Sequence, residues 1–286
     1  MTEHTALYVY ALLRHDGEAG TAGALAGVTG LDGRALRLLH APGTSVAALV
    51  HDAAPTPFQG EDEQIRRWVA EQNQAVTTVW ERTGSLLPMT FNVLVADESS
   101  TTASHDGSPD SSRHRDRGQT AEQRLTRWIT ERAPEITAQL AELAGRCELR
   151  VEITVDRTAV TAPDSPAYEE AHLAGRSAGM RRLLLKQREQ QAKNLAGQLA
   201  DTLHAEVRHD LLSVAEDLRD RGLPRQNPDE TGVLSAALLV RTEDIDTVGG
   251  VLSELQARQP AVRIRFLGPW PPYSFTDDRH SVYEDA

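Results

Sequence analysis

The segment Val262–Phe275, VRIRFLGPWPPYSF, restricts the fold more than any other part of this chain. Val262, Ile264 and Phe266 alternate with Arg263 and Arg265. That is the period of a half-buried strand, whose successive side chains point to opposite faces. Gly268 and three prolines then end the pairing, because proline has no N–H to give a sheet and fixes its own φ near about −65°. The tail must therefore leave its sheet extended, carrying Trp270, Tyr273 and Phe275 on a stiff backbone. Packing rings on a restrained chain loses little entropy. Two readings follow. The tail is an aromatic clasp folded back on its own domain, or Phe266, Trp270, Pro271, Pro272, Tyr273 and Phe275 form a docking surface for a partner protein.

A chain of 286 residues is long enough for two ordinary domains with real cores. Its net charge of −12 disfavours nucleic acid, which needs cations to displace counterions, and an anionic membrane surface. The single cysteine, Cys147, forms no internal disulfide, which suits a reducing compartment. The first ten residues show neither a basic region nor a long apolar run, and no stretch approaches the roughly 18 apolar residues of a membrane span. A soluble cytoplasmic protein is expected.

Along the chain, Leu7–Leu13 and Ser45–His51 read as strands. Ile65, Trp68, Val69, Gln72, Val76, Val79 and Trp80 recur at helical spacing up to Gly84. Leu87–Val95 reads as a third strand. Residues 97 to 119 contain no apolar side chain larger than alanine, and are expected to be a flexible polar insert. Two helices are expected at 120–132 and 134–144, with Pro134 in the first turn of the second. Cys147–Val155 alternates cleanly as a strand. Residues 168 to 221 have a helical pattern so long that a bend or two packed helices is expected. A strand at 233–240, a helix at 244–258 and the strand from Val262 to Phe266 complete a β–α–β–α–β order. The fold class is thus α+β with two domains, 1–145 and 146–286.

Catalytic signals are weak. The glycines from Gly17 to Gly33 never form the G-x-G of a dinucleotide loop, so a turn-rich segment is the simpler reading. Gly175-Arg-Ser-Ala-Gly179 has the letters of a nucleophile elbow around Ser177, but no strand-like run precedes it. His204 and His209 are five apart, unlike a zinc pair at i, i+4. No catalytic residue, cofactor site or metal site is assigned, and the chain is expected not to be an enzyme. The alternative is a soluble enzyme or small-ligand module built on Ser177 or the glycine loop.

The tail Arg263–Phe275 resembles the C-terminal signature of the gas vesicle GvpL/GvpF family. Leu7-Tyr-Val-Tyr-Ala resembles its opening strand, Leu87-Pro-Met-Thr-Phe91 its LPMRFG segment, Glu148-Leu-Arg-Val-Glu its EW-x-V-K strand, and Ser235–Val240 its penultimate strand. Thr90 departs from the usual arginine of that family, Asn92 from the glycine after Phe91, and Leu149 from a common tryptophan. The resemblance implies two α+β domains, the C-terminal one a modified ferredoxin-like sandwich. It also implies an accessory or minor structural role in nucleating and assembling the gas vesicle shell. The partners it implies are the shell protein and other gas vesicle accessory proteins, at the gas vesicle in the cytoplasm, with no nucleic acid, membrane or cofactor.

Overall fold

The computed structural model describes residues 6–15, 23–98, 118–160, 177–222 and 227–276. The chain forms two units, Met1–Arg146 with Pro271–Ala286, and Cys147–Trp270. Sequence reading places the whole tail with the second half. In the structure the described tail residues Pro271–Thr276 group with the first unit.

The first unit is built on β1 (Ala6–Arg14), buried along all but its last residue. β2 (Arg37–His40), β3 (Val46–Ala53) and β1 pair antiparallel in that order. Both β4 (Leu86–Pro88) and β5 (Leu94–Ala96) pair with β1, β4 along Ala11–Leu13 and β5 along Ala6–Tyr8. α1 (Asp62–Thr83) buries Trp68, Gln72, Ala75, Val76, Val79 and Trp80. It stops at Gly84, whose φ of 70° lets its N–H return to the Trp80 carbonyl at 2.8 Å. α2 (Ala121–Glu142) starts from a capping box in which Thr120 and Gln123 bond reciprocally.

Buried tyrosine, glutamine and histidine side chains of this core share hydrogen bonds, as burial favours, while the buried Trp80 indole N–H has no acceptor among the described residues. The Tyr8 hydroxyl donates to Gln72 Oε1, and the Gln72 amide donates to the Met89 carbonyl at 2.9 Å. The Tyr10 hydroxyl accepts from the Leu31 N–H at 2.7 Å and lies 3.0 Å from His51 Nδ1. Burial pushes the Tyr10 phenol well above its ordinary range, so it stays neutral. Gly30 passes so close that a Cβ there would overlap the Tyr10 hydroxyl.

The second unit runs β6 (Arg146–Asp156), α3 (Ala178–Leu212), β7 (Asp217–Asp220), β8 (Glu230–Arg241), α4 (Ile245–Arg258) and β9 (Val262–Trp270). Its sheet has the order β7-β8-β6-β9. α3 packs on β8, α4 on β9, and the helices touch each other. Arg258 of α4 reaches Glu206 and Asp210 of α3 at 2.9 and 3.4 Å. β6 alternates as its sequence demands, with Cys147, Leu149, Val151, Ile153 and Val155 buried and Arg150, Glu152 and Thr154 half-buried.

Mixed α+β architecture with two antiparallel sheets is therefore the observed class. Four local expectations change. Leu87–Val95 is two strands rather than one, because Asn92 turns the chain with a φ of 72°. The helices expected at 120–132 and 134–144 are one helix through Pro134. Proline removes the bond to the carbonyl four residues back, and that residue, Thr130, is exposed, so water can serve it. Its buried stripe Leu125, Ile129, Ile136 and Leu140 runs through unbroken. The pattern from 168 to 221 resolves into a single 35-residue helix and, from Asp217, a further strand; residues 161–176 lie outside the described set. The order is thus β–α–β–β–α–β. Most of the polar insert, 99–117, also lies outside the described residues.

Candidate functional site

β9 is an edge strand, paired on one side with β6 from Val262↔Val155 to Glu148↔Trp270. Its apolar row loses cover along its length: Val262 is buried, Ile264 half-buried and Phe266 38 % exposed, although the β6 partners Val155, Ile153 and Val151 are all fully buried. Leu267 follows at 47 % exposed. An edge strand presents unpaired backbone groups, and here they come with two large apolar side chains open to solvent. Arg263 and Arg265 of the same strand are held by Asp156 at 2.9 Å and Glu152 at 3.6 Å.

Beyond Leu267 the register slips by one residue, with two β6 steps from Glu148 to Arg150 facing three on β9. Gly268 sits at the slip with a φ of 124°, and a Cβ on it would lie 2.8 Å from the Glu148 carbonyl oxygen. Only glycine fits so close an approach in that conformation. Past the slip, Trp270 comes beneath Arg150, whose guanidinium carbon is 4.9 Å from the ring centroid. Arg150 Nε donates to Glu148 Oε1 at 2.8 Å, and Glu148 is fully buried. A buried carboxylate, an arginine and an indole ring thus form one stack, which fixes the strand end by cation–π and ion-pair attraction.

The six residues singled out by sequence are therefore distributed differently. Phe266 is exposed on the strand edge, and Trp270 is half-buried under Arg150. Pro271, Pro272 and Phe275 are buried in the first unit. Tyr273 is half-buried there, its hydroxyl donating to Asn73 Oδ1 of α1 at 3.1 Å. Leu267, Glu148 and Arg150 escaped the sequence reading. Glu148 and Arg150 sit in an alternating strand that gives no sign of burying a charge, and only the register brings them to Trp270.

Ser177 is the N-cap of α3, its Oγ accepting from the Met180 N–H at 3.4 Å. Capping accounts for its presence. The residues before it, with Gly175, lie outside the described set, as do Gly17 and Gly20. A small open cavity in the first unit is lined by Arg14, Ser45, Ser85, Thr137, Leu140, Ala141 and Ala144, and so includes neither Ser177 nor the glycine stretch. Among the described residues no group of three or more His, Cys, Asp or Glu is placed to hold a metal ion, and no helix is long and apolar enough to cross a membrane.

Two antiparallel sheets flanked by helices define the class: a two-unit α+β chain. The profile of the family described as gas vesicle synthesis protein GvpL/GvpF matches residues 6–111 and 118–277, and the chain belongs to that family. It is 28 % identical over 285 residues to gas vesicle protein L2 of Halobacterium salinarum, covering 95 % of this chain and 91 % of that one. It is 25 % identical to gas vesicle protein L of Haloferax mediterranei, over 87 % of this chain and 73 % of that one. The crystal structure of GvpF from Anabaena sp. PCC7120 shares the fold with a TM-score of 0.62 at 15 % identity, covering 96 % of each chain. GvpF from Microcystis aeruginosa does so at 0.58 and 16 %, over 95 % of this chain and 98 % of that one.

Asn92, where the family segment has glycine, now has a physical account. Its φ of 72° is one that glycine adopts freely and asparagine tolerates. Its side chain then bonds the Phe58 backbone in both directions, at 2.8 and 3.0 Å, and its N–H donates to the Tyr8 hydroxyl at 3.0 Å.

Proposed function

We propose that this chain is a non-catalytic accessory or minor structural protein of gas vesicles, which helps nucleate and assemble the shell by binding other gas vesicle proteins, the shell protein among them. Family membership supports the gas vesicle association. The observation that carries the contact mechanism is the uncovered end of β9, where Phe266 and Leu267 stand exposed on a strand that is the edge of its sheet among the described residues. A strand of a partner adds there by main-chain hydrogen bonds, and the two side chains supply apolar contact. A shell protein with an apolar face gains a partner that hides it before assembly, and the chain's net charge of −12 keeps the complex dispersed. The site of action is the gas vesicle, reached from the cytoplasm.

The two units are taken as the two domains. The second is read as a modified ferredoxin-like domain, which its β–α–β–β–α–β order and its β7-β8-β6-β9 sheet support. The tail from Pro271 to Phe275 serves the first domain as a clasp, leaving Phe266, Leu267 and the rim of Trp270 as the partner-facing group.

The test is capture of purified shell protein by the full chain and by Phe266→Lys/Leu267→Lys. Both side chains are exposed, so folding should survive, as circular dichroism and thermal melting will check. Capture weakened about tenfold or more supports the edge as the contact. Undiminished capture by a folded double variant removes it.

A further inference from the structure

A second surface lies on α3, and its argument is independent of the β9 edge. Burial on this helix begins at Ala192, and none of the residues from Ala178 to Gln191 is buried. At 1.5 Å per residue this half of the helix is about 21 Å long. Met180, Leu183 and Leu185 on it are 44 %, 52 % and 54 % exposed. Arg181, Arg182, Lys186 and Lys193 are exposed between and beside them, and Glu189 is the only acidic residue from 178 to 195. Of the two lysines of the whole chain, Lys186 is here and Lys193 lies two residues beyond, in a protein whose net charge is −12. The helix therefore carries a basic, apolar arm on an acidic body.

The pattern selects the occupant. Leu183 and Leu185 are two residues apart, hence about 160° apart around the axis, with Met180 near Leu183. A bilayer surface takes a helix with one apolar face and one polar face, which this is not, and an anionic bilayer repels the body. Nucleic acid would use the basic residues but not the leucines, and the arm offers no ring for a base to stack on. Two arms pairing with each other would bring like charges together. A protein groove that grips a helix from more than one side uses both leucines, and acidic residues on its rim meet the arginines and lysines. We propose that Ala178–Gln191 is a ligand helix for a partner protein presenting an apolar groove rimmed with aspartate and glutamate.

The test uses calcium-loaded calmodulin as a probe groove of this chemistry, titrated against the full chain by fluorescence anisotropy. The variants are Arg182→Glu/Lys186→Glu and Leu183→Gln/Leu185→Gln, each on exposed positions, with circular dichroism reporting that α3 persists. The expected result is saturable binding abolished by calcium chelation, weakened by salt, and weakened about tenfold or more in each double variant. Absence of binding, or folded variants that bind like the parent, overturns the proposal. Tighter variant-sensitive binding to phosphatidylcholine–phosphatidylglycerol vesicles than to calmodulin overturns it in favour of lipid, and tighter binding to polyuridylic acid overturns it in favour of RNA.

Discussion

Arg150 lies over the ring of Trp270, 4.9 Å from its centroid, on a strand whose Glu148 is the register partner of that tryptophan. The arginine is the hinge of the stack, since its Nε also bonds the Glu148 carboxylate at 2.8 Å. Glu148 is fully buried, while the Arg150 side chain is 34 % exposed. Removing the arginine therefore takes an ion-pair and hydrogen-bond partner from a buried carboxylate. Arg150→Met should lower the unfolding free energy by about 2–3 kcal/mol. Trp270→Leu should lower it by about 1–2 kcal/mol through lost packing and cation–π attraction. Urea denaturation of both singles and the double gives the coupling, expected at about 0.5–1 kcal/mol. Strictly additive losses would mean that ring and guanidinium do not interact.

Gly268→Ala is expected to destabilise the second unit by about 2–4 kcal/mol, through a φ of 124° that alanine avoids and a Cβ placed 2.8 Å from the Glu148 carbonyl oxygen. A contrasting site is Gly249 on α4, where a Cβ meets nothing within 4 Å. Alanine there should stabilise by about 0.5–1 kcal/mol, because it raises helix propensity without strain. Thermal melting of the two variants should thus move in opposite directions. A shared direction contradicts the geometry assigned to Gly268.

Asn92 separates conformation from hydrogen bonding. Asn92→Gly keeps the left-handed turn and loses the side-chain bonds to Phe58, a loss of about 1–2 kcal/mol. Asn92→Ala loses the same bonds and also places a Cβ residue at a φ of 72°, for a total of about 2–3 kcal/mol. The order Asn above Gly above Ala in denaturant midpoint is the expected outcome. Alanine equal to glycine would show that the turn relaxes away from its left-handed form.

The elements that sequence reveals are those whose side chains repeat over many positions against one neighbour. The alternation from Cys147 to Val155 and the stripe from Trp68 to Trp80 belong to this kind. β7 was hidden because four residues with one buried side chain, Leu218, carry no period, and Leu218 extends the leucine spacing of the helix before it. What holds β7 is tertiary: pairing with β8, and Arg208 of α3 bonded to both carboxylate oxygens of Asp220 at 2.9 Å. Pro134 misled in the other direction, since a proline on an exposed helix face interrupts nothing in the core. At the candidate site, the rings of the tail announced themselves. Their division into exposed Phe266 and buried Phe275 did not, because burial depends on which neighbour the chain returns to, and that neighbour is the first unit.

Cys147 gives a pH dependence with a definite sign. Burial pushes its thiol up to about 11 from the ordinary cysteine value of 9.0, with a weaker opposing hydrogen bond to Thr242. The folded pKa lies above the unfolded one, so the unfolded chain releases its proton first as pH rises. Stability contributed by the neutral buried thiol is therefore complete below about pH 9 and is lost progressively between 9 and 11. The slope approaches about 1.4 kcal/mol per pH unit in that window. Tyr10, also raised by burial, adds a loss of the same sign only above the ordinary tyrosine range, so the interval from pH 8.5 to about 9.5 isolates the cysteine. Urea midpoints of the parent should fall across that interval, and those of Cys147→Ala should fall less. The same burial predicts that iodoacetamide labels Cys147 only after unfolding, so native labelling at pH 8 and at the rate of a free thiol would contradict the placement of this residue in the core.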